Sequence, residues 1–320
     1  MFSFVNTGRK GTLALHLTKY DIIDKMTLIS KSKRVIYLKK EGRKIKTLPP
    51  MNVVGTVFMP GRNGASNQFS TTLDITEAEN FIREKRKNGM PGLGMMHVLL
   101  AAYVQTVAAY PGINRFIRGH KIYARNGIEM CLTVKKDMTL DSQETVIKIP
   151  AKPDDTIDDV YNTIAKMVEE NKKEGDTNSM DFAARILTFL PSVLLVAVMW
   201  IIRFFDYFGL LPRFLTKLSP FHSSMFITNV GSLGIPPIFH HLYDFGNIPL
   251  FISLGMKHTK YVTQSDGSVE KRKFVDINVV CDERICDGHY YACAFKKLKR
   301  LSENAWLLET PSEKIVSDIK

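Results

Sequence analysis

The sequence has little of several residue types, and each shortage excludes a class of protein. Only 4 of its 320 residues are cysteine, and they form neither a C-x-x-C pair nor a zinc pattern with histidine, so a disulfide framework and a metal site are not expected. Acidic residues are outnumbered 32 to 44, which leaves a formal net charge of +12 and predicts an anionic partner. No nucleic-acid-binding motif is present, so a phosphorylated cofactor or an anionic membrane surface is expected instead.

Long uncharged runs are also rare, with one exception. The opening run Met1 to Val5 is short and has no basic residues before it, so no signal peptide is predicted and a cytoplasmic protein is expected. The exception is Ile186 to Ile202, seventeen residues without a charge, which an aromatic-rich stretch extends to Leu215. Seventeen residues is the lower limit for a bilayer span, and Pro191 lies inside the run.

Three interpretations of this hydrophobic segment remain open. Basic residues flank both of its ends, which gives no orientation under the positive-inside rule. We therefore favour a monotopic or re-entrant helical hairpin, docked on one leaflet, within an insertion at 182–217. A true membrane span is the second interpretation. An apolar cover over a substrate tunnel or a subunit contact is the third.

A basic segment lies near the N-terminus. Between Lys31 and Lys46 eight residues are basic and only Glu41 is acidic. This segment is either a solvated strand or loop, or a polybasic contact with lipid phosphates. Pro49-Pro50 then predicts a boundary, so residues 1–50 are interpreted as a basic extension packed on the core, and residues 51–320 as one domain.

The remaining patterns alternate between helical and strand periods, which predicts an α/β domain. Strands are predicted at Phe69–Ile75, Ile128–Val134, Glu144–Ile149 and Leu250–Met256, with a hairpin over Tyr261–Phe274 that turns at Asp266-Gly267. Helices are predicted from Thr76, over Met95–Ala109, and from Thr156.

The stretch from Val275 to Tyr291 combines both periods. Alternating apolar and polar residues predict a strand, the charged turn Asp282-Glu283-Arg284 follows, and helical spacing begins after Gly288. A strand that ends in ionisable residues and turns into a helix is a common position for chemistry.

Three motifs resemble one protein family. The run Asp282 to Gly288 is similar to the D-H-R-x-x-D-G signature of dihydrolipoamide acyltransferases, the catalytic cores of 2-oxo acid dehydrogenase complexes. Phe226 to Gly231 resembles their F-T-I-S-N-L-G strand, and Tyr110 to Asn114 resembles their H-P-x-L-N segment. The resemblance extends from about Arg62 to Leu308. It implies a chloramphenicol acetyltransferase-like two-layer α/β sandwich with a mixed sheet, to which the hydrophobic segment is an addition.

The family resemblance also implies an activity and an assembly. It implies acyl transfer from a thioester donor, either coenzyme A or an acyl carrier protein, in a homotrimer whose active sites lie between neighbouring subunits. A lipoyl arm is not expected as substrate, because no lipoyl domain is recognised. With the hydrophobic segment, these points predict a cytoplasmic, membrane-associated acyltransferase that acts on a membrane-borne or lipid-like acceptor. The alternative is an inactive trimeric scaffold or acyl-binding module.

Glu283 occupies the position of the family's catalytic histidine. Moving a thiol proton onto a carboxylate of ordinary pKa is uphill by roughly 5.7 kcal/mol, against about 2.7 kcal/mol for imidazole. Glu283 therefore serves as the base only if burial raises its pKa. Otherwise His289, at the start of the next helix, is the base, or Glu283 orients a histidine from elsewhere, or the site is inactive.

The resemblance assigns roles to the other site residues. Thr228 stands where the family has serine and is predicted to donate a hydrogen bond to the tetrahedral oxyanion. Asp287 is expected to pair with an arginine that fixes the loop, with Arg284 the nearest candidate and a distant arginine equally possible, while Gly288 shapes the turn. Substrate contacts are predicted for Asn229, Gly231, His240 and His241. For the two histidines a metal-binding or base role is disfavoured, since adjacent side chains on a regular segment diverge.

Overall fold

A six-stranded mixed sheet organises the part of the chain that the computed structural model describes, which is residues 41–135, 144–173 and 189–320. Its strand order is β2-β9-β8-β7-β5-β6, with β7 parallel to β5 and β8 and the other pairs antiparallel. A smaller sheet has the order β1-β4-β3. The strands are β1 (Gly42–Lys44), β2 (Ser66–Asp74), β3 (Phe116–Arg118), β4 (Lys121–Arg125), β5 (Ile128–Lys135), β6 (Glu144–Ala151), β7 (Met225–Asn229), β8 (Leu250–Thr263) and β9 (Val269–Asp282).

Helices α2 (Thr76–Lys87), α3 (Met95–Ala109), α4 (Ile157–Lys173) and α7 (Gly288–Glu303) cover one face of the large sheet. The other helices with described bounds are α1 (Pro50–Phe58), α5 (Ser192–Tyr207) and α6 (Arg213–Leu218). The central helix is α3, which begins and ends where the sequence predicted. Its apolar residues are buried on all sides, and together with α2, α4 and α7 they form one core with the inward side chains of β5, β7, β8 and β9. These layers form the predicted two-layer sandwich.

A loop covers part of the opposite face of the sheet. The Pro237 carbonyl accepts a hydrogen bond from Asn278 on β9 (2.9 Å), and the Ile238 N–H donates to Ser253 on β8 (3.1 Å). His240 then stacks on Phe251. This face therefore carries polar side chains beneath a loop, whereas the helical face is apolar.

The strand pair β8–β9 is longer than predicted. Strand β8 continues past Met256 to Thr263, with an irregularity in its pairing between Leu254 and Lys257. The predicted hairpin turn is confirmed: the Gln264 N–H donates to Ser268, and Gly267 adopts a φ of 82°. That positive φ suits glycine, which has no Cβ to clash with the backbone.

The hydrophobic segment forms helix α5, a turn at Gly209 (φ 67°) and the short helix α6. None of the residues in α5 is buried, whereas Leu211 and Thr216 after it pack against the protein. No helix within the described ranges is both long enough and apolar enough to cross a bilayer. The start of the segment, residues 186–188, and the basic run before residue 41 lie outside the described residues, as do the boundaries predicted there.

Helix α1 is a second exposed apolar helix, and the sequence analysis predicted only a boundary at its start. Pro50 occupies its first turn, a position that suits proline because the first N–H groups of a helix have no partner. Only Thr56 is buried, while Met51, Val57 and Phe58 are exposed at 73%, 62% and 78%. Two apolar helices, α1 and α5, therefore face outward.

Candidate active site

The turn between β9 and α7 holds Glu283. Its N–H donates to the Ala65 carbonyl (3.0 Å), and its Oε2 accepts a hydrogen bond from Asn67 Nδ2 (2.8 Å). Asn67 lies at the start of the edge strand β2, and Ala65 directly precedes that strand. Glu283 remains partly exposed, so the deep burial expected for a base that takes a thiol proton is not found.

A buried ion pair between Arg284 and Asp282 fixes the conformation of this turn. Arg284 donates to both oxygens of Asp282 (2.8 and 2.7 Å) and to the Met59 carbonyl (2.6 Å). The side chains of this pair are 2% and 1% exposed, and the Nε of Arg62 lies 3.7 Å from the same carboxylate. Charge-assisted bidentate contacts of this kind restrict geometry strongly, so the backbone on either side of Glu283 is held in place.

The predicted pairing of Asp287 with Arg284 is wrong, because the guanidinium turns inward to Asp282. Asp287 is instead exposed and caps α7: its Oδ1 accepts a hydrogen bond from the Tyr290 N–H (2.9 Å). Such a cap satisfies an N–H that has no partner within the helix. Gly288 begins the helix, and a Cβ added there would meet no atom within 4 Å, so packing does not require glycine at this position.

His289 lies in the first turn of α7 and is exposed. Its Nε2 is 3.7 Å from the Sγ of Cys293, one turn further along the helix. The alternative base predicted from the sequence therefore contacts a thiol on its own helix.

Thr228 and Asn229 end β7 and are partly exposed. Thr228 pairs with Ser253, which pairs with Asn278, five residues before Glu283 on β9. At about 3.3 Å per residue and about 4.8 Å between strands, Thr228 and Glu283 lie about 19 Å apart in one chain. The structure therefore does not bring the predicted oxyanion donor and the predicted base together within one copy.

Close backbone packing explains why position 231 is a glycine. A Cβ at this position would lie 2.1 Å from the carbonyl oxygen of Gly255 and 2.8 Å from the Met256 nitrogen. The turn after β7 therefore packs directly against the β8 backbone. This packing alone accounts for glycine at position 231, and the predicted substrate contact of Gly231 stays a prediction.

His240 and His241 form part of an aromatic cluster. The His240 ring stacks on Phe251 (4.1 Å, 3°), and its Nδ1 lies 2.9 Å from the His241 carbonyl oxygen. Burial lowers the pKa of His240, and the hydrogen bond with the His241 carbonyl only partly opposes this effect. The two histidine rings are 4.6 Å apart, so the expected divergence is wrong, because this segment is neither helix nor strand.

A buried polar contact that sequence reasoning missed anchors α5. His222 lies with its Nε2 3.1 Å from Asp206 Oδ1 and its Nδ1 2.9 Å from Ser219 Oγ. Burial alone would raise the pKa of Asp206, but His222, with Arg118 and Arg62, holds it below its ordinary value. Asp206 is the one acidic residue between Ile186 and Leu215, a signal that could have identified it as an anchor.

A cavity of about 280 Å³, here called cavity A, lies beside this anchor. Pro60, His120, Asp206, Asn247 and Arg284 are among its lining residues. Since Arg284 follows Glu283 directly, cavity A extends from the end of α5 to the turn that carries the candidate base.

Three solved structures with related architecture clarify the fold. No family model and no curated protein matches the sequence. A probable dihydrolipoamide acetyltransferase from Listeria monocytogenes 4b F2365 aligns over 92% of this chain and 95% of its own, with a TM-score of 0.51 and 13% identity. The cubic core of a pyruvate dehydrogenase multienzyme complex aligns over 83% and 94%, with a TM-score of 0.52 and 15% identity.

The third structure is the dihydrolipoamide acetyltransferase of Azotobacter vinelandii, with a TM-score of 0.52, 14% identity and coverage of 83% and 94%. The chain has the fold of these catalytic cores. The chloramphenicol acetyltransferase-like sandwich predicted from the sequence is thus confirmed. In the Azotobacter enzyme a serine, a histidine and an asparagine were studied for their role in the catalytic mechanism. At 13 to 15% identity the structural similarity shows the fold alone. The activity has to be inferred from the residues of the site.

Proposed function

We propose that this protein transfers an acyl group from a thioester donor, coenzyme A or an acyl carrier protein, to a membrane-borne or lipid-like acceptor. The observation that carries this proposal is the position of Glu283. It is a carboxylate oriented by Asn67, on a turn clamped by the Asp282–Arg284 pair, where dihydrolipoamide acyltransferases have their catalytic histidine.

The chemistry assigns Glu283 the role of general base towards a hydroxyl or amine acceptor. As the acceptor oxygen or nitrogen attacks the thioester carbonyl, its proton moves to the carboxylate. The resulting tetrahedral intermediate then collapses, the C–S bond breaks, and the leaving thiolate takes the proton from Glu283, which restores the carboxylate. General-base assistance contributes roughly 10² to 10⁴ in rate without a free alkoxide, so partial exposure of Glu283 is compatible with this role.

The oxyanion donor in this proposal is Thr228 of a neighbouring copy. Within one chain Thr228 and Glu283 lie about 19 Å apart at opposite ends of the strands. A homotrimer that places the Glu283 turn of one copy against β7 of the next would complete the site. In this mechanism Glu283 is the base and Thr228 is the oxyanion donor, so no lysine, arginine or metal ion is needed for either role.

The two exposed apolar helices support a membrane-borne acceptor. On α5 Trp200 and Phe204 are 67% and 47% exposed and stack on each other at 5.8 Å. His120 joins the ends of both helices: its Nδ1 lies 2.7 Å from the Thr56 carbonyl oxygen on α1, and its ring contacts Tyr207 on α5. Apolar and aromatic side chains rimmed by cations suit the interface of an anionic bilayer. The basic residues nearby are Arg203, Arg213 and Lys217.

A non-catalytic scaffold is the second candidate function. It is favoured by the partial exposure of Glu283 and by the lining of cavity A, which includes neither Glu283 nor Thr228. In this function the membrane-facing helices would operate without acyl transfer.

The experiment that separates the two candidates is acyl transfer on vesicles. Purified protein is mixed with a radiolabelled acyl-coenzyme A and vesicles of total cellular lipid, and labelled lipids are resolved by chromatography and mass spectrometry. An acyltransferase yields a labelled lipid that is lost in Glu283→Gln. Unlabelled lipids with the wild-type protein bound to the vesicles support the scaffold.

A further inference from the structure

A second cavity, here called cavity B, has a volume of about 410 Å³ and lies along α7, away from cavity A. One wall is a stripe of that helix at positions i, i+3, i+4 and i+7, which places the side chains on one face. The stripe consists of Cys293, Lys296, Lys297 and Arg300. The core-facing residues of α7, such as Leu298, point to the opposite side.

The cations of cavity B lack close counter-charges. Within the described ranges, no carboxylate oxygen lies within the 4.0 Å of an ion pair from Lys296, Lys297 or Arg300. Glu313 is the one acidic residue among the lining residues. Burial, followed by the charges of Arg300 and Lys314, lowers the pKa of Lys297 in spite of the opposing effect of Glu313. Three cations therefore converge on a concave surface with one nearby acid.

The remaining lining of cavity B combines aromatic, aliphatic and polar residues. Tyr110, Leu301, Leu307 and Pro311 supply apolar surface, and Gln105, Thr310 and Glu313 are polar. A volume of this size lies within the range of about 300 to 1,000 Å³ that is usual for small-molecule sites. The cavity thus combines an electropositive end with an aromatic and aliphatic surface.

We propose that cavity B binds a small molecule that carries phosphate groups and an aromatic or apolar moiety, as a nucleotide does. Phosphate oxygens accept charge-assisted hydrogen bonds from Lys and Arg, and Tyr110 with Leu307 offers a surface for a planar ring. Phosphate binding would also relieve the mutual repulsion of Lys296, Lys297 and Arg300. This inference stands apart from the acyl transfer proposed above, because binding is measured without turnover.

A cysteine in cavity B allows ligand binding there to be measured. Cys293 lines cavity B and is partly exposed, whereas Cys131, Cys281 and Cys286 are buried. Burial raises the pKa of each of these three buried thiols, that of Cys281 to about 12. A thiol reagent applied to the folded protein should therefore modify Cys293 first, which Cys293→Ser verifies.

The test measures the rate at which 5,5′-dithiobis(2-nitrobenzoate), an anionic reagent, and 4,4′-dithiodipyridine, a neutral one, modify Cys293. We expect ADP to slow both reactions at saturation, and inorganic diphosphate to do so more weakly because it lacks the ring. Lys297→Gln/Arg300→Gln should weaken ADP protection at least about tenfold, since two charge-assisted contacts are removed. The same double substitution should slow modification by the anionic reagent more than by the neutral one, because it removes positive charge near Cys293.

The matched control is Arg83→Gln/Lys87→Gln, which removes two exposed charges from α2 and should leave protection unchanged. A merely solvated basic face gives no protection by ADP, or equal protection in the cavity variant and the control, and either result overturns the proposal. Because no acyl donor is present, failure of acyl transfer leaves this result unaffected, and ADP binding without acyl transfer would separate the two proposals.

Discussion

The Nδ2 of Asn67 donates a hydrogen bond of 2.8 Å to the Oε2 of Glu283. The carboxylate is therefore oriented by the edge strand β2 rather than by its own turn. Because β2 is an edge strand, one of its sides is open to another chain. Asn67 can therefore orient Glu283 while a neighbouring copy packs beside the turn and completes the site.

The first prediction concerns the proton acceptor. Glu283→Gln removes the base while keeping the hydrogen-bonding shape, and kcat for acyl transfer to the lipid acceptor should fall by roughly 10² to 10⁴. Glu283→His restores the family residue and should retain part of the activity. His289→Ala serves as the control and should have a mild effect. Full activity of Glu283→Gln on an identified acceptor would pass the role to His289.

The second prediction tests the oxyanion donor and the assembly together. Thr228→Val is nearly isosteric and should lower kcat by ~10² to 10³ with little change in Tm. Because Thr228 and Glu283 would meet only across two copies, co-expression of Thr228→Val with Glu283→Gln should regenerate some intact sites. Steady-state assays of the purified mixed oligomer measure this recovery. Absence of recovery, with both variants folded, would argue for a site within one chain.

The third prediction concerns membrane binding. Trp200→Ser/Phe204→Ser removes two exposed aromatic side chains from α5 and should reduce co-sedimentation with vesicles that contain anionic lipid. Tyr261→Ser/Val269→Ser, at 73% and 63% exposure on the β8–β9 hairpin, is the control and should sediment like the wild type. Higher salt should weaken the electrostatic part of the binding alone. Wild-type protein that stays in the supernatant at low salt would leave α5 as a cover or a subunit contact.

The fourth prediction concerns the buried pair beneath the site. Asp282→Asn leaves Arg284 and Arg62 without their shared carboxylate and should lower the free energy of unfolding by about 3 to 5 kcal/mol. Urea denaturation measures this change. Glu170→Gln removes an exposed partner of Lys166, whose side chains are 54% and 75% exposed, and should cost less than about 1 kcal/mol. Similar losses for the two variants would contradict the structural role of Asp282.

The fifth prediction concerns acid stability. The pKa of Asp206 is lower in the folded protein than its ordinary value, so its ionised form stabilises the fold above pH about 4. This contribution is lost as the pH falls through the folded pKa. The difference in unfolding free energy between wild type and Asp206→Asn should therefore be large at neutral pH and shrink in acid. A difference independent of pH would show that packing, and not charge, anchors α5.

Local patterns predicted the elements whose signals lie in consecutive residues. Helix α3 was predicted at both ends because its apolar run lies between Gly94 and Tyr110-Pro111. Helix α1 was missed since Val53, Val54, Thr56 and Val57 are β-branched and disfavour helix, and Pro50 was interpreted only as a boundary. Its helical form depends on tertiary contacts such as that of Thr56 with the His120 carbonyl.

The site was predicted in part, for a similar reason. The position of Glu283 followed from its motif, but its partner Asn67 lies 216 residues away along the chain. The sequence analysis paired Arg284 with Asp287 because the two residues are close in sequence. In the structure Arg284 pairs with Asp282, at the buried end of β9. Contacts between distant residues depend on register and burial, which a single sequence does not specify.

The contact of Gly231 with Gly255 has a consequence for engineering. Since a single methyl group at Gly231 would overlap the β8 backbone, this pair should tolerate no exchange in a randomised library, while nearby exposed positions such as Ser232 and Leu233 vary freely. Attempts to retune acceptor choice around Thr228 are therefore best directed at the exposed side chains of the covering loop, Ile235, Ile238 and Phe239, and not at His240, which stacks on Phe251 of the strand beneath.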